Sequence, residues 1–246
     1  MMMKRHQGSL HRPVVWVVGA SRGIGKEIAK AFASIGCAVC CSGRNQKELR
    51  EVVREIDKQG GYADLFPCDI TKSADINKTF KIIHQKFGKV DVLINNAGIT
   101  VFKTFLQTSS KEFSDIIKTN LEGQVGCVRA VLPLMVKRQN GWIINILSNA
   151  ALKTFEASSA YSASKAGMLG FSRVLREEMR QFNVRVVNII PGATSTAMWS
   201  SSDRKKYKHR MMTAKGVAEA VLAVYQMPED VVTDEILLRP IKGDID

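Results

Sequence analysis

No run in this 246-residue chain approaches the ~20 consecutive apolar residues of a membrane-spanning helix, which excludes a spanning segment. The opening stretch, MMMKRHQGSLHRP, lacks the apolar core and small-residue cleavage site of a signal peptide. It reads as a flexible lead-in over residues 1–12, and the VVWVV after it as a buried strand. Cysteine is scarce and unpaired in pattern. The five residues Cys37, Cys40, Cys41, Cys68 and Cys127 make no disulfide framework and suit a reducing cytoplasm. CAVCC is too short of partners for a metal: no second CxxC and no histidine cluster completes a tetrahedral site. On a strand, Cys40 points away from Cys37 and Cys41, so buried strand thiols are expected and no metal. Acidic residues are in deficit, 23 against 36 lysines and arginines, for a net charge of +13. That balance fits nucleic acid, a membrane surface or anionic small molecules. There is no zinc-finger spacing, aromatic RNA-binding signature or basic amphipathic helix, so neither a nucleic-acid nor a membrane partner is expected.

What is present alternates. Apolar runs at Val14–Val18, Ala38–Ser42, Val90–Asn95, Trp142–Leu147 and Val184–Ile190 read as strands, as do YADLFPC and EILLRP. Between them lie amphipathic helical patterns: Ile24, Ile28, Phe32 and Ile35 at helical spacing, then Gln46–Gln59, Ser73–Phe87, Lys111–Arg138 and about 159–180. Helical segments are expected over about 197–225. Strands apolar on both faces imply a parallel sheet of about seven strands, covered by helices on both sides. No composition break or linker divides the chain, so a single α/β domain over 1–246 is expected.

The first strand runs into GASRGIG, where Gly19, Gly23 and Gly25 stand at a strand-to-helix turn. Glycines there let the backbone approach a pyrophosphate, which the helix N-terminus attracts. At the end of the second strand, where an acid would bind the ribose of NAD, stands Arg44. With Arg22 it offers two guanidiniums suited to a 2′-phosphate, so NADP(H) is the expected cofactor. Further on, Tyr161 and Lys165 sit one helical turn apart in YSASK. Such a pair is ordinary on a solvated helix; it is also how a phenol could be tuned by a cation.

GASRGIG, Asp69–Ile70, NNAG (Asn95–Gly98), TNLEG, Ser148, YSASK and PGATST occur in the order of the short-chain dehydrogenase/reductase family, which the chain resembles from about Val14 to beyond Ile190. The resemblance implies a Rossmann-type, doubly wound parallel sheet. It also implies reduction of a ketone or aldehyde by hydride from the nicotinamide, with the proton from Tyr161. Lys165 would lower the phenol's pKa and hold the nicotinamide ribose. Ser148 would polarise the carbonyl, and Asn120 would hold a water linking Lys165 to solvent. Gly19, Ser21, Arg22, Gly23, Ile24, Gly25, Arg44, Asp69, Ile70, Asn95, Ala97, Gly98, Pro191, Gly192, Thr194 and Thr196 would line the cofactor crevice, Asp69 on the adenine.

Val18 stands where most members have Thr or Ser, Leu147 replaces a frequent Ser, and the ending TDEILLRPIKGDID lacks the glycine-rich strand of carrier-protein ketoreductases. TSTAMW and this ending look more like sepiapterin-reductase-type members. A substrate lid is expected over about 194–213, with Met198 and Trp199, and with Leu152 and Phe155 facing them. A small carbonyl or pterin-type ketone is the favoured substrate. The alternatives are a 3-oxoacyl thioester, delivered by an acidic carrier protein drawn to Arg204–Arg210, and a non-catalytic NADPH sensor. Family members associate through the helices at 111–138 and 159–180, which implies a homodimer or homotetramer.

Overall fold

A computed structural model describes residues 12–245; most of the expected lead-in, residues 1–11, lies outside the described residues. The β-branched runs form strands β1 (Val14–Val18), β2 (Ala38–Gly43), β3 (Tyr62–Pro67), β4 (Val92–Asn95), β5 (Gly141–Ile146) and β6 (Val184–Pro191). Beyond them come the short β7 (Thr194–Ser195) and β8 (Met212–Thr213), which pair with each other, and then β9 (Glu235–Leu238). The main sheet is parallel and has seven strands in the order β3-β2-β1-β4-β5-β6-β9. The chain leaves β3 and re-enters beyond β1, so the order reverses between β1 and β4. Crevices at the carboxyl ends of strands form at such a reversal.

Both sheet faces are covered, as the apolar strands require. Val15 and Val17 pack with helices α1 (Gly23–Ser34), α2 (Gln46–Lys58) and α8 (Ala214–Tyr225). Val14, Trp16 and Val18 pack with α3 (Ser73–Phe87), α5 (Gly123–Arg138) and α6 (Ser159–Met179). Cys37 and Cys41 lie in the first core and Cys40 in the second, the alternation expected of a strand. The one indole in β1 buries its N–H against the Ser42 hydroxyl at 2.7 Å. No described helix is long and apolar enough to cross a membrane.

Local chemistry sets the helix ends. Asn45 caps α2 through Lys47 and Glu48, and Gly88 closes α3 in the left-handed region. Ser109 and Glu112 form a capping box that starts α4 (Ser110–Ile117).

Three expectations change. Ile35 falls just past the end of α1 and is 40% exposed, so the apolar stripe stops at Phe32. The long helix expected over 111–138 is α4 and α5 joined by a π-helical turn at Lys118–Glu122. The stretch expected to be helical from 197 holds only the short α7 (Ser201–Lys206) and a 3-10 turn before β8 interrupts it.

The last strand is tied down by two arginines of α6. Arg173 forks onto the Glu235 carboxylate at 2.8 and 2.9 Å. Arg176, buried, donates to the Val186 and Asp234 carbonyls.

Candidate active site

The loop after β1 is built by close backbone approach. Gly19 and Ala20 donate to the Ser42 carbonyl at 2.8 and 2.9 Å, which ties the loop to β2. Gly19 sits at φ +85°, and a Cβ on it would lie 2.7 Å from the Cα of Ala97. A Cβ on Gly25 would lie 2.2 Å from the Gly19 carbonyl oxygen. Asn96 clamps that same carbonyl with its side-chain amide at 2.8 Å. The first turn of α1 has neither a capping side chain nor an acid, so its amide N–H groups face the cleft without an internal partner. A cleft of about 340 Å³ opens in front of them.

Arg22 and Arg44 are both exposed along this cleft, with Ser21, Gly23, Ile24, Asp69, Ile70, Ala97 and Gly98 also on its wall. Asp69 accepts from the Thr71 hydroxyl and N–H at 2.8 and 3.1 Å. Burial works against its charge, but those hydrogen bonds and the Arg44 guanidinium outweigh it and hold the carboxyl below its ordinary range. Asp69 precedes the helix and is not its first-turn acid; Asp75 is.

Asn95 is not on the cleft wall. It is fully buried and donates to Asn145, which donates to Asn188, at 3.0 and 3.1 Å. The three are register partners on β4, β5 and β6, so the period of two turns all three amides to one face. Its neighbour Asn96 is the residue that reaches the glycine loop.

The π turn brings Asn120 against the end of β4. Its side-chain oxygen accepts from the Ile99 N–H at 2.8 Å, and its amide donates to the Ile99 carbonyl and the Ser164 hydroxyl at 2.9 and 3.0 Å. Both amide hydrogens are thereby used. The side chain pins the loop that lines the cleft.

Ser148 lies two residues past β5, its Oγ accepting from the Ala150 N–H at 3.2 Å. Tyr161 and Lys165 occupy the first two turns of α6. Lys165 is 3% exposed; its ammonium donates to the Ile146 carbonyl at 2.8 Å and lies 5.8 Å from the centre of the Tyr161 ring. Burial pulls Lys165 down to about 8. Burial pushes the Tyr161 phenol up, and the Ser148 hydroxyl draws it only part of the way back. The shift runs opposite to the direction expected from the pair: desolvation outweighs the Ser148 hydrogen bond, and the Lys165 ammonium is turned toward a carbonyl.

Pro191, the last residue of β6, is buried, and Gly192 just past it donates to the Leu238 carbonyl at 2.8 Å. Thr194 is buried and bonded to the Gly192 carbonyl, while Thr196 reaches the cleft. Met198 also lines it. Trp199 packs on Phe102, with ring centres 5.6 Å apart. Phe102 was not a candidate, because its segment has no helical or strand period to flag it. Leu152 is 51% exposed, and Phe155 carries the Lys153 ammonium 5.7 Å from its ring. Met211 and Met212 line a separate hollow of about 490 Å³ between the start of α8 and the segment after β9.

The family model described as short chain dehydrogenase matches residues 13–207. The chain belongs to the short-chain dehydrogenase family. It is an oxidoreductase, and its relatives cover nearly its whole length. The sepiapterin reductase of Chlorobaculum tepidum is 33% identical over 239 residues, 94% of this chain and 98% of that one. An uncharacterized oxidoreductase of Staphylococcus saprophyticus is 32% identical over 236 residues, 94% and 99% of the two chains. A metagenomic short-chain oxidoreductase solved in complex with NADP superposes with a TM-score of 0.83 at 33% identity, covering 95% of this chain and 99% of that one. Actinorhodin polyketide ketoreductase with NADPH gives 0.88 at 27% identity, with 95% and 98% covered.

Proposed function

We propose that this chain reduces a ketone or aldehyde to an alcohol with NADPH, Tyr161 giving the proton to the carbonyl oxygen. The observation that carries the reading is the grouping of Ser148, Tyr161 and the buried Lys165, whose ammonium lies 3.9 Å from where a Cβ on Gly98 of the cleft wall would stand. When bound, the nicotinamide supplies a hydride to the carbonyl carbon. The uncapped start of α1 suits the cofactor's pyrophosphate, and Gly25 lets that helix start sit directly against the Gly19 carbonyl of the loop. Ser148 donates to the carbonyl oxygen and polarises it. Tyr161, kept protonated by its surroundings, is an acid ready at neutral pH. Lys165 stabilises the phenolate left behind. The reaction runs in both directions. NADPH oxidation, followed by absorbance across a diketone, a pterin ketone and an acetoacetyl thioester, tests the reading; silence across the panel overturns it.

A small or pterin-type ketone is the favoured substrate, supported by the likeness to a sepiapterin reductase over 94% of the chain. The thioester reading draws on the exposed basic groups Lys205, Lys206 and Lys208, which an acidic carrier could meet. Best turnover of the thioester in the panel would favour it.

Arg22 and Arg44 are the proposed holders of the 2′-phosphate. A charge-assisted hydrogen bond contributes about 1.5–3 kcal/mol. Arg44→Ala is therefore expected to weaken NADPH about 10–100-fold in a binding titration and to leave NADH nearly unchanged. Equal losses for both cofactors would rule the assignment out.

The lysine sets an upper pH limit. Its folded pKa of about 8 lies below the ordinary 10.5, so its charge is present below pH 8 and lost above it. Reduction is expected to fall as pH rises through about 8, with kcat/KM reporting the free enzyme. The stability effect has the opposite sign: burying the charged amine costs stability below pH 8, and that cost fades between 8 and 10.5. A kcat/KM that stays flat from pH 7 to 10 would contradict the need for the ammonium.

A further inference from the structure

After β9 the chain comes back to the body of the molecule at Asp244. The side chain of Asp244 is only 7% exposed. Its Oδ1 accepts from the Asn149 amide at 3.1 Å, and a Cβ on Gly192 would lie 3.3 Å from that oxygen. Its Oδ2 meets the Lys153 ammonium at 3.5 Å. Its main-chain carbonyl accepts from the Arg210 guanidinium. One residue therefore touches three segments that are remote in sequence: the loop carrying Ser148, the turn after β6, and the end of the basic stretch that follows α7.

The contact with Asn149 has a direction. Because Asp244 takes the amide N–H, the Asn149 side-chain oxygen is left facing the Ser148 hydroxyl, at 3.5 Å. A carboxylate is acceptor-only, so it fixes which end of the amide points each way. The Arg210 contact fixes something else. Residues 196–211 are held to the body at their ends by the β7–β8 pairing and by Met212 N–H donating to the Ala193 carbonyl. Arg210 adds a bond from this excursion to the tail.

We propose that the C-terminal tail is a latch. Asp244 is a positioning residue that holds the 196–211 excursion closed against the site and orients Asn149, and through it Ser148. The latch stands on the geometry alone; the consequence for turnover rests on the carbonyl-reductase reading.

The test uses the full chain with Asp244→Ala and Asp244→Asn. Limited trypsin digestion, read by mass spectrometry, follows cleavage after Arg204 to Arg210, where the excursion offers lysines and arginines. Opening the latch is expected to speed that cleavage about tenfold in Asp244→Ala. Both variants keep the main-chain carbonyl that meets Arg210; Asp244→Ala loses the side-chain bonds that seat that carbonyl, whereas Asp244→Asn keeps a side-chain oxygen for Asn149 and is expected to stay near the parent. On the best ketone of the panel, Asp244→Ala is expected to lower kcat/KM about 10–100-fold, with NADPH affinity and melting temperature unchanged. Asn149→Ala is expected to reproduce the loss in turnover without the faster cleavage.

Cleavage rates identical to the parent in Asp244→Ala overturn the latch, whatever the kinetics. Faster cleavage with unchanged kcat/KM leaves the latch and overturns the link to Ser148. Faster cleavage in a chain whose parent turns over no ketone supports the latch and counts against the carbonyl-reductase reading, so the two fail separately.

Discussion

Replacing Tyr161 by Phe is expected to lower kcat by about 10²–10⁴-fold, the range that positioned acid–base groups contribute, while NADPH still binds. The substitution removes one oxygen and keeps the ring, so packing around α6 is disturbed little. What it removes is the proton donor. Burial pushes this phenol up, so across the neutral range it carries its proton. In Tyr161→Phe, no other group described here can take its place. The Ser148 hydroxyl is a far weaker acid, and the Lys165 ammonium is buried and spends a hydrogen bond on the Ile146 carbonyl. An unchanged Kd with kcat collapsed would place the oxygen in the chemical step. A variant that loses NADPH binding to the same degree would instead make Tyr161 a cofactor-holding residue, and turnover near the parent's would remove the proton-donor role altogether.

The sheet was legible because its strands are apolar on both faces, and a run such as VVWVV in water has nowhere to go but between two layers of helices. Glycine spacing at a strand-to-helix turn carried the cleft, since a turn that leaves no room for a Cβ demands glycine in the sequence. Sequence reasoning reached less far wherever a role depends on which way a side chain faces. Asn95 and Asn96 are adjacent and alike, yet one is spent inside the sheet and the other on the Gly19 carbonyl; only the strand register tells them apart. Asn120 was singled out, but its bonds to Ile99 depend on a π turn that no periodicity announces. Phe102 and Asp244 carried no signal at all, because each acts on a partner about a hundred residues away in irregular chain. The direction of the Tyr161 shift was also out of reach, since charge proximity is visible in a spacing and burial is not.

Gly25→Ala is expected to be the most damaging single methyl group in the cleft. A Cβ there would stand 2.2 Å from the Gly19 carbonyl oxygen and 2.4 Å from the Asn96 amide nitrogen. The oxygen is backbone, fixed by the tie between Gly19 and the Ser42 carbonyl and by Asn96 itself. Neither neighbour is a flexible tip that can swing aside. Relief requires α1 to back away from the loop by roughly 1 Å, a displacement that can cost about 100-fold where a bound group must be held in register. Overpacking of this kind also costs about 1–3 kcal/mol of stability, and more where backbone meets backbone. NADPH binding is thus expected to weaken by about two orders of magnitude, with a lower melting temperature. Gly43→Ala makes the comparison. It lies on the wall of the same cleft, but its Cβ would meet only Leu49 and Ser21 side-chain carbons at 3.8 and 3.9 Å. Its stability is expected to stay within about 1 kcal/mol of the parent. If calorimetry and NADPH titration found the two variants alike, the loop would be softer than its hydrogen bonds imply, and the glycine spacing would need another cause than the close approach of Gly25 to Gly19.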